Sequence, residues 1–320
     1  MVTNMLHPST IAEPDLPKPI LPSWVFDRST PETHETASFA SGSALSLLHV
    51  VLTDPNVNVP KDLLRSRLAL RAAVHGNKIE GRAVTEADLR DAYYLTAPGD
   101  AMGPNGDMLA FWRKGAGIGL RNAGWRDRFT ELLPTSMQEY VPDWFEAADD
   151  RLHSPVEKAN FILVQIMTAF PRQEAAALLC ADIVLARALG WDRPLPLLSQ
   201  YLRRAELRAI FDGTDIRIAC HHAIARAAQD TIRLGHDLAR RGARLRSIEP
   251  KLRSKGSRDA TRLFLSEDAV VISPMLTPTI RGSSTLMTPR SALRFCERLV
   301  ELGVARELTG RSTFRLYGVA

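Results

Sequence analysis

The side chains in this sequence best suited to chemistry are arginines near its C-terminal end. Three of them, Arg290, Arg294 and Arg298, are spaced by four within a stretch of helical hydrophobic periodicity. Residues i and i+4 lie on one face of a helix, so the three guanidinium groups should form a row. The guanidinium fork matches the O6 and N7 acceptors of guanine, and it also binds phosphate oxygens. The spacing therefore predicts a surface for duplex DNA.

Further candidates flank this row. Ser283 and Ser284 precede the helix, where hydroxyl groups can donate to phosphates at its start. Arg311 lies in a turn between two strand-like runs, where it could enter a minor groove or touch the backbone. The predicted DNA contacts are Ser284, Thr288, Arg290, Arg294, Arg298, Arg311, Arg315, Lys251, Arg253, Lys255 and Arg258.

The charge distribution supports a polyanionic partner. The whole chain of 320 residues carries a formal charge of +5, but residues 190–320 hold 23 basic and 13 acidic side chains. Lys and Arg gain affinity for nucleic acid by neutralising phosphates and releasing counterions. Two alternatives remain open. A charge run is usually a solvated face with local ion pairs, and Glu297 and Glu301 on the same helix favour a protein partner.

The elements that must position these arginines form a short module. Thr288-Pro289 is a helix-start signal and Gly303 suits the end of that helix. Two strand-like runs follow, Val304–Leu308 and Thr313–Tyr317, and the four residues between them predict a hairpin. A helix followed by a basic-tipped hairpin indicates a winged-helix-like module over about 264–320.

The rest of the chain predicts a mainly α protein. A proline-rich arm over 1–36 is expected to dock through Leu21, Trp24, Val25 and Phe26, followed by a helical body over 37–247 and a basic connecting segment over 248–263. Thr85 and Asp88 have capping-box spacing for one helix start. The other helices are expected at about 107–119, 137–152, 155–169, 172–189, 195–211, 214–247 and 256–265. The segment 172–189 is apolar on nearly all sides and predicts a buried central helix.

Other kinds of site find little support. Cys180, Cys220 and Cys296 form no CxxC pair and are expected to pack as small hydrophobes. His221 and His222 point about 100° apart on a helix, so they do not predict a metal site. We find no nucleophile–base pair and no phosphate loop, and we therefore expect no enzyme activity, cofactor or metal. The sequence shows no signal peptide or membrane span, which predicts a cytoplasmic protein.

Four motifs resemble a bacterial family of domains of unknown function, number 1403. They are Arg65–Ala73, Arg193–Leu198, Pro250–Gly256 and Glu307–Gly318. The similarity extends from about residue 37 to the C-terminal end, and it implies no particular activity.

A second, partial resemblance is to Fic-type proteins, on Leu299–Gly303 and Thr309–Tyr317. These segments are similar to the end of the Fic C-terminal winged helix. The HPFxxGNGR catalytic loop is absent, since His7-Pro8 continues into Ser9-Thr10. Adenylyl transfer is therefore not carried over to this sequence.

The leading hypothesis is a DNA-binding accessory or regulatory protein that acts through its C-terminal winged helix. One alternative is a protein-interaction scaffold, with a protein partner or a homo-oligomer formed through the helical body. Another is a catalytically degenerate Fic relative that retains nucleotide binding.

Overall fold

The computed structural model describes residues 19–26, 32–97, 99–149, 154–252, 256–277, 287–311 and 313–320. Within these residues the protein is mainly α, as predicted, with a small antiparallel sheet near its C-terminal end. The α-helices are α1 (His34–Thr53), α2 (Lys61–Ile79), α3 (Glu86–Tyr94), α4 (Gly103–Ala116), α5 (Trp125–Thr130), α6 (Thr135–Gln138), α7 (Val141–Asp149), α8 (Pro155–Ala169), α9 (Glu174–Ala188), α10 (Leu198–Tyr201), α11 (Arg204–Ala209), α12 (Arg217–Ile248), α13 (Ser257–Phe264) and α14 (Pro289–Glu301). The strands are β1 (Val270–Val271), β2 (Ala305–Glu307) and β3 (Leu316–Val319), and 3-10 turns cover Ser23–Phe26, Ile210–Asp212 and Glu249–Lys251.

The helical body is built from long helices packed in pairs. α1 packs along α12, α8 against α9, and α2 against α4. Every residue of α9 from Ala176 to Ala186 is buried, which confirms the predicted central helix. Gly115 of α4 lies against this helix, and a Cβ there would come within 2.6 Å of the Leu179 side chain. Glycine therefore permits the close approach of α4 to α9.

Helix boundaries that depend on neighbouring residues lie where the sequence predicts them. The predicted capping box at the start of α3 is confirmed, because the Asp88 backbone N–H donates to Thr85 Oγ1 at 3.2 Å and the Thr85 N–H donates to Asp88 Oδ2 at 2.8 Å. The helix predicted over 137–152 is instead divided into α6 and α7. Pro142 follows the first residue of α7, where its missing N–H is tolerated only in a first turn.

The predicted helix over 195–211 is also broken, into α10, α11 and a 3-10 turn. The chain is extended at Leu202 and Arg203, between α10 and α11. The start of α10 is set by Asp182 of α9, whose side chain reaches it from another helix. Its carboxylate accepts hydrogen bonds from the backbone N–H groups of Leu197 and Leu198 at 3.0 and 2.9 Å. Such an N-terminal cap fixes where α10 begins, but it is not visible in the local sequence.

The N-terminal arm packs on the body where the structure describes it. Val25 is buried, and Leu21 and Phe26 are partly buried against the core. Trp24 remains 60% exposed. Most of the predicted arm over 1–36 lies outside the described residues.

Among the described helices, α1 alone is long and apolar enough to cross a membrane by length and composition. Its apolar side chains Ala44, Leu45 and Leu48 are buried in the core of the body. The same apolar stripe therefore has a partner within the protein.

The C-terminal sheet contains three strands in the order β1-β3-β2, all antiparallel. Val270 of β1 pairs with Tyr317, and Ala305 of β2 pairs with Val319. The two predicted strands are therefore present, although β3 begins at Leu316, three residues after the predicted start. β1 was not expected, because two residues are too few to give a strand pattern.

A buried ion-pair network anchors the C-terminal segment to the body. Asp268 is 2% exposed and lies 2.7 Å from Arg67 Nε and 2.6 Å from Arg90 Nε. The preceding residue, Glu267, pairs with Arg113 of α4 at 2.5 Å. These contacts fix the point at which the chain leaves α13 and enters β1.

Candidate nucleic-acid interface

The predicted DNA-binding helix forms as α14. Thr288 caps it, accepting a hydrogen bond from the Ser291 backbone N–H at 3.2 Å, and Pro289 occupies its first turn. The apolar face packs inward, and the Phe295 ring lies 6.3 Å from that of Phe264 on α13. This packing leaves the opposite face of α14 in solvent.

Among the residues that the structure describes, the exposed face of α14 carries unpaired positive charge toward its N-terminal end and an ion pair toward its C-terminal end. Arg290 and Arg294, in its first two turns, are exposed and have no acidic partner within the described part of the chain. Arg298, one turn further on, pairs with Glu301 at 3.0 Å. The free positive charge is therefore concentrated at the N-terminal half of the helix.

The hairpin tip is held against the helical body. Arg311 pairs with Asp91 of α3 at 2.5 Å, and its backbone carbonyl accepts a hydrogen bond from Arg315 Nε at 3.0 Å. Arg315 also lies 4.0 Å from Glu297 of α14. Both predicted arginines of the hairpin are therefore engaged within the protein in this structure.

A carboxylate closes the turn of the hairpin. Glu307 accepts hydrogen bonds from the backbone N–H groups of Thr309 and Gly310, both at 2.7 Å, and from the Thr309 hydroxyl. Partial burial acts to raise the pKa of Glu307, but these hydrogen bonds outweigh it and lower the pKa below its usual range. These hydrogen bonds tie Thr309 and Gly310 of the turn to the last residue of β2.

Two exposed residues of the hairpin were not singled out from the sequence. Arg306 projects into solvent from β2. Phe314 is 71% exposed and has a φ of 53°, in the left-handed region. No signal in the sequence indicates this exposure, because an aromatic residue within a strand-like run is expected to pack inward.

The connecting segment contributes less free charge than the sequence suggests. Lys251 is exposed and has no acidic partner in the described ranges, but Arg258 pairs with Glu249 at 3.5 Å. Other arginines of the basic run pair with acids three residues away, as Arg240 does with Asp237 at 2.6 Å. The predicted contacts Ser284, Arg253 and Lys255, together with Ser283, lie outside the described residues.

The histidine pair is separated into two environments. His221 is buried, with Nδ1 2.7 Å from Ser41 Oγ and Nε2 3.2 Å from Ser38 Oγ, and burial lowers its pKa to about 4. His222 instead faces Glu32, 2.9 Å away. The Ser41–His221 pair was missed from the sequence. Both of its members are almost inaccessible to solvent, so the pair serves packing between α1 and α12.

The three cysteine thiols lie in the interior of the protein. All three cysteines are buried and unpaired, as predicted, and burial raises the pKa of Cys296 to about 12. Within the described residues, no group of three or more His, Cys, Asp or Glu side chains is arranged to hold a metal ion.

Comparison with known proteins gives a family match but no functional one. A family model described as a protein of unknown function, DUF1403, matches residues 10–319. Among curated proteins, none matches the sequence.

Proposed function

The chain belongs to the DUF1403 family of unknown function, and we propose that it is an accessory or regulatory protein that binds duplex DNA through α14. The order of elements supports this proposal. α13, β1, α14 and the β2–β3 hairpin follow one another, and the sheet has the order β1-β3-β2. A helix placed ahead of a two-stranded wing is the arrangement of winged-helix modules.

The observation that carries the proposal is the location of Arg290 and Arg294. In helix-turn-helix proteins, the N-terminal residues of the recognition helix contact base edges in the major groove. These two arginines occupy that half of α14, are exposed, and have no acidic partner within the described residues. The arginine that does pair with an acid, Arg298, lies at the other end of the helix.

The dimensions of the module are compatible with this mode of binding. α14 has 13 residues, which corresponds to a length of about 20 Å, and a major groove about 12 Å wide admits such a helix. In this mode the exposed Arg306 of β2 would contact the phosphate backbone and position the protein without reading sequence, while Arg311 at the hairpin tip stays paired with Asp91.

Replacing both Arg290 and Arg294 by glutamine is expected to weaken DNA binding about tenfold, because two unpaired cations are removed from the interface. Fluorescence anisotropy with a mixed-sequence duplex, measured against salt concentration, tests this. The log–log slope of affinity against salt should become shallower by about 1 for each phosphate that the variant no longer neutralises.

The matched control is Arg208→Gln on α11, since Arg208 is also exposed and lacks an acidic partner in the described part of the chain. Its affinity should stay within about twofold of the parent. A parent slope near zero, or equal losses in the control and the double variant, would contradict DNA binding through α14.

A protein partner is the alternative that one observation favours. Phe314 at 71% exposure and Val300 at 39% lie on the hairpin and on α14, and exposed aromatic side chains are frequent anchors of protein interfaces. A pull-down from nuclease-treated lysate separates the two proposals. A partner retained after nuclease treatment and released by Phe314→Ala would support the scaffold instead of DNA binding.

A further inference from the structure

A recess rich in cations lies on the helical body, outside the C-terminal module. It is formed by the end of α1, the start of α2 and the segment 190–195, and its volume is about 260 Å³. Its charged walls are made by Lys61, Arg65, Arg121, Arg193 and Asp192. Four cations and one carboxylate therefore line a cavity of small-molecule size.

The cations of this recess are only partly neutralised. Arg65 and Arg193 share a single carboxylate, that of Asp62, at 2.5 and 3.7 Å. Lys61 and Arg121 have no acidic partner within the described residues. Counting Asp62 and Asp192 against the four cations leaves an excess positive charge of two.

The start of α2 adds to this positive character. The residue before the helix is Pro60, which provides no side-chain cap, and Lys61 is the first helical residue. The first-turn N–H groups of a helix carry partial positive charge and favour an anion. They supplement the four cationic side chains, which supply most of the positive charge.

One side of the recess, the segment 190–195, is held in place by hydrogen bonds. Trp191 Nε1 donates to His49 Nδ1 at 3.1 Å, and the Leu120 backbone N–H donates to the carbonyl of Asp192 at 2.8 Å. Leu195 is buried, and the backbone N–H of Leu197 donates a hydrogen bond to the buried carboxylate of Asp182 at 3.0 Å. These contacts order the backbone that carries Arg193 before a ligand binds, which lowers the cost of ordering this side of the site on binding.

A second hollow of about 250 Å³ adjoins the first and shares Arg65 and Arg193 as walls. Its far side is lined by Arg113 and Glu267, which pair with each other. A ligand whose phosphate occupies the first recess thus has adjoining space for the group that carries the phosphate.

We propose that this recess binds a small molecule bearing a phosphate or diphosphate group. The guanidinium groups of its three arginines, Arg121 included, and the ammonium of Lys61 are the donors that phosphate oxygens require. A partly neutralised set of four cations suits a ligand with more than one negative charge. The concave shape and limited volume favour a free phosphorylated compound over a nucleic-acid backbone.

Calorimetric titration with pyrophosphate, at about 0.15 M ionic strength to screen unspecific attraction, tests the proposal. We expect saturable binding of one pyrophosphate per chain. The double variant Lys61→Gln/Arg121→Gln should weaken it about fivefold or more, because both of the donors it removes are charged. Both side chains are exposed, so the variant should unfold at the parent temperature.

Two control variants separate this site from general basicity and from the DNA surface. Arg226→Gln on α12 removes an exposed cation that has no acidic partner in the described ranges, and it should leave pyrophosphate binding unchanged. The Arg290→Gln/Arg294→Gln variant should also bind pyrophosphate normally, even if it no longer binds DNA.

Three results would overturn the proposal. They are the absence of saturable heat, an equal loss of affinity in Arg226→Gln, and competition by short duplex DNA that depends on Lys61 and Arg121. The last outcome would assign the recess to a nucleic-acid backbone. None of these results depends on whether α14 binds DNA.

Discussion

Replacing Asp268 by alanine is expected to lower the free energy of unfolding by about 3–5 kcal/mol, the largest effect foreseen for a single side chain of this protein. Asp268 is 2% exposed and accepts hydrogen bonds from Arg90 Nε at 2.6 Å and Arg90 Nη2 at 3.2 Å, while Arg67 Nε lies 2.7 Å away. Arginine stays protonated under all ordinary conditions. The substitution would therefore leave two largely buried cations without their shared anion.

The pKa values of the two arginines reflect the same carboxylate. Burial lowers the pKa of Arg67, and the negative charge of Asp268 opposes that effect. Burial acts in the same direction on Arg90, but hydrogen bonds to Asp268 and its charge outweigh it and raise the pKa of Arg90. Glu86 adds a second favourable charge at both sites and pairs with Arg90 at 2.9 Å, but its side chain is far more exposed, so Asp268 is the principal buried anion of the cluster.

Urea denaturation of the parent and variant proteins measures this effect. Asp259→Ala is the matched control, because Asp259 forms an exposed pair with Arg262 at 3.5 Å and such pairs contribute about 0–1 kcal/mol. The triple variant Arg67→Met/Arg90→Met/Asp268→Leu should recover much of the loss, since apolar replacement of a buried ionic cluster is often neutral. A loss for Asp268→Ala no larger than that of Asp259→Ala would refute a stabilising role of the network.

Replacing Asp182 by alanine is expected to cost about 3 kcal/mol in unfolding free energy, because the removed carboxylate leaves several buried donors unsatisfied. The side chain is completely buried and accepts from the backbone N–H groups of Leu197 and Leu198 and from the Ser199 hydroxyl at 2.9 Å. The start of α10 and the segment that carries Arg193 should then loosen. Affinity for pyrophosphate should consequently fall along with stability.

Asp182 also predicts a dependence of stability on pH. Burial raises its pKa to about 7, although hydrogen bonds from Leu198, Leu197 and Ser199 act in the opposite direction. In the unfolded chain the pKa is about 4. Between these values the folded state binds the proton more tightly. The stabilisation is therefore complete below about pH 4 and is lost as the pH rises through about 7.

The variant Asp182→Asn isolates this titration. Its amide oxygen can still accept from Leu197 and Leu198, so its stability at low pH should exceed that of Asp182→Ala. In the parent, the unfolding free energy should decline between about pH 4 and 7 by at most about 1.4 kcal/mol per pH unit. In Asp182→Asn this decline should be smaller. An identical pH profile in the parent and Asp182→Asn would exclude Asp182 as the titrating group.

Features encoded within a few residues were predictable from the sequence. The cap of α3 depends on Thr85 and Asp88, and the start of α14 depends on Thr288 and Pro289. The burial of α9 follows from its apolar composition on all sides. The two caps involve contacts one helical turn apart or less, so the order of residues determines which groups meet. A helix that is apolar on all sides must be covered by its neighbours, whichever helices these are.

Features that join distant segments were not predictable. Asp182 caps α10, Asp268 binds Arg67 and Arg90, and β1 pairs with β3, each across a long stretch of chain. Many acids and bases could have formed such pairs. Only the packing of the helices selects one partner from them.

In the candidate site too, some features depend on neighbouring residues and others on contacts between distant segments. The sequence alone establishes the mainly α body, the helix that carries Arg290 and Arg294, and the excess of basic residues in the last third of the chain. It does not establish which positive charges are available to a ligand. The tertiary structure decides this, because it pairs Arg311 with Asp91 and gathers Lys61 and three arginines from separate segments around one recess. The physical reason is that the electrostatic interaction between two charges depends on their separation in space and on the surrounding solvent, and neither quantity is contained in a count of residues.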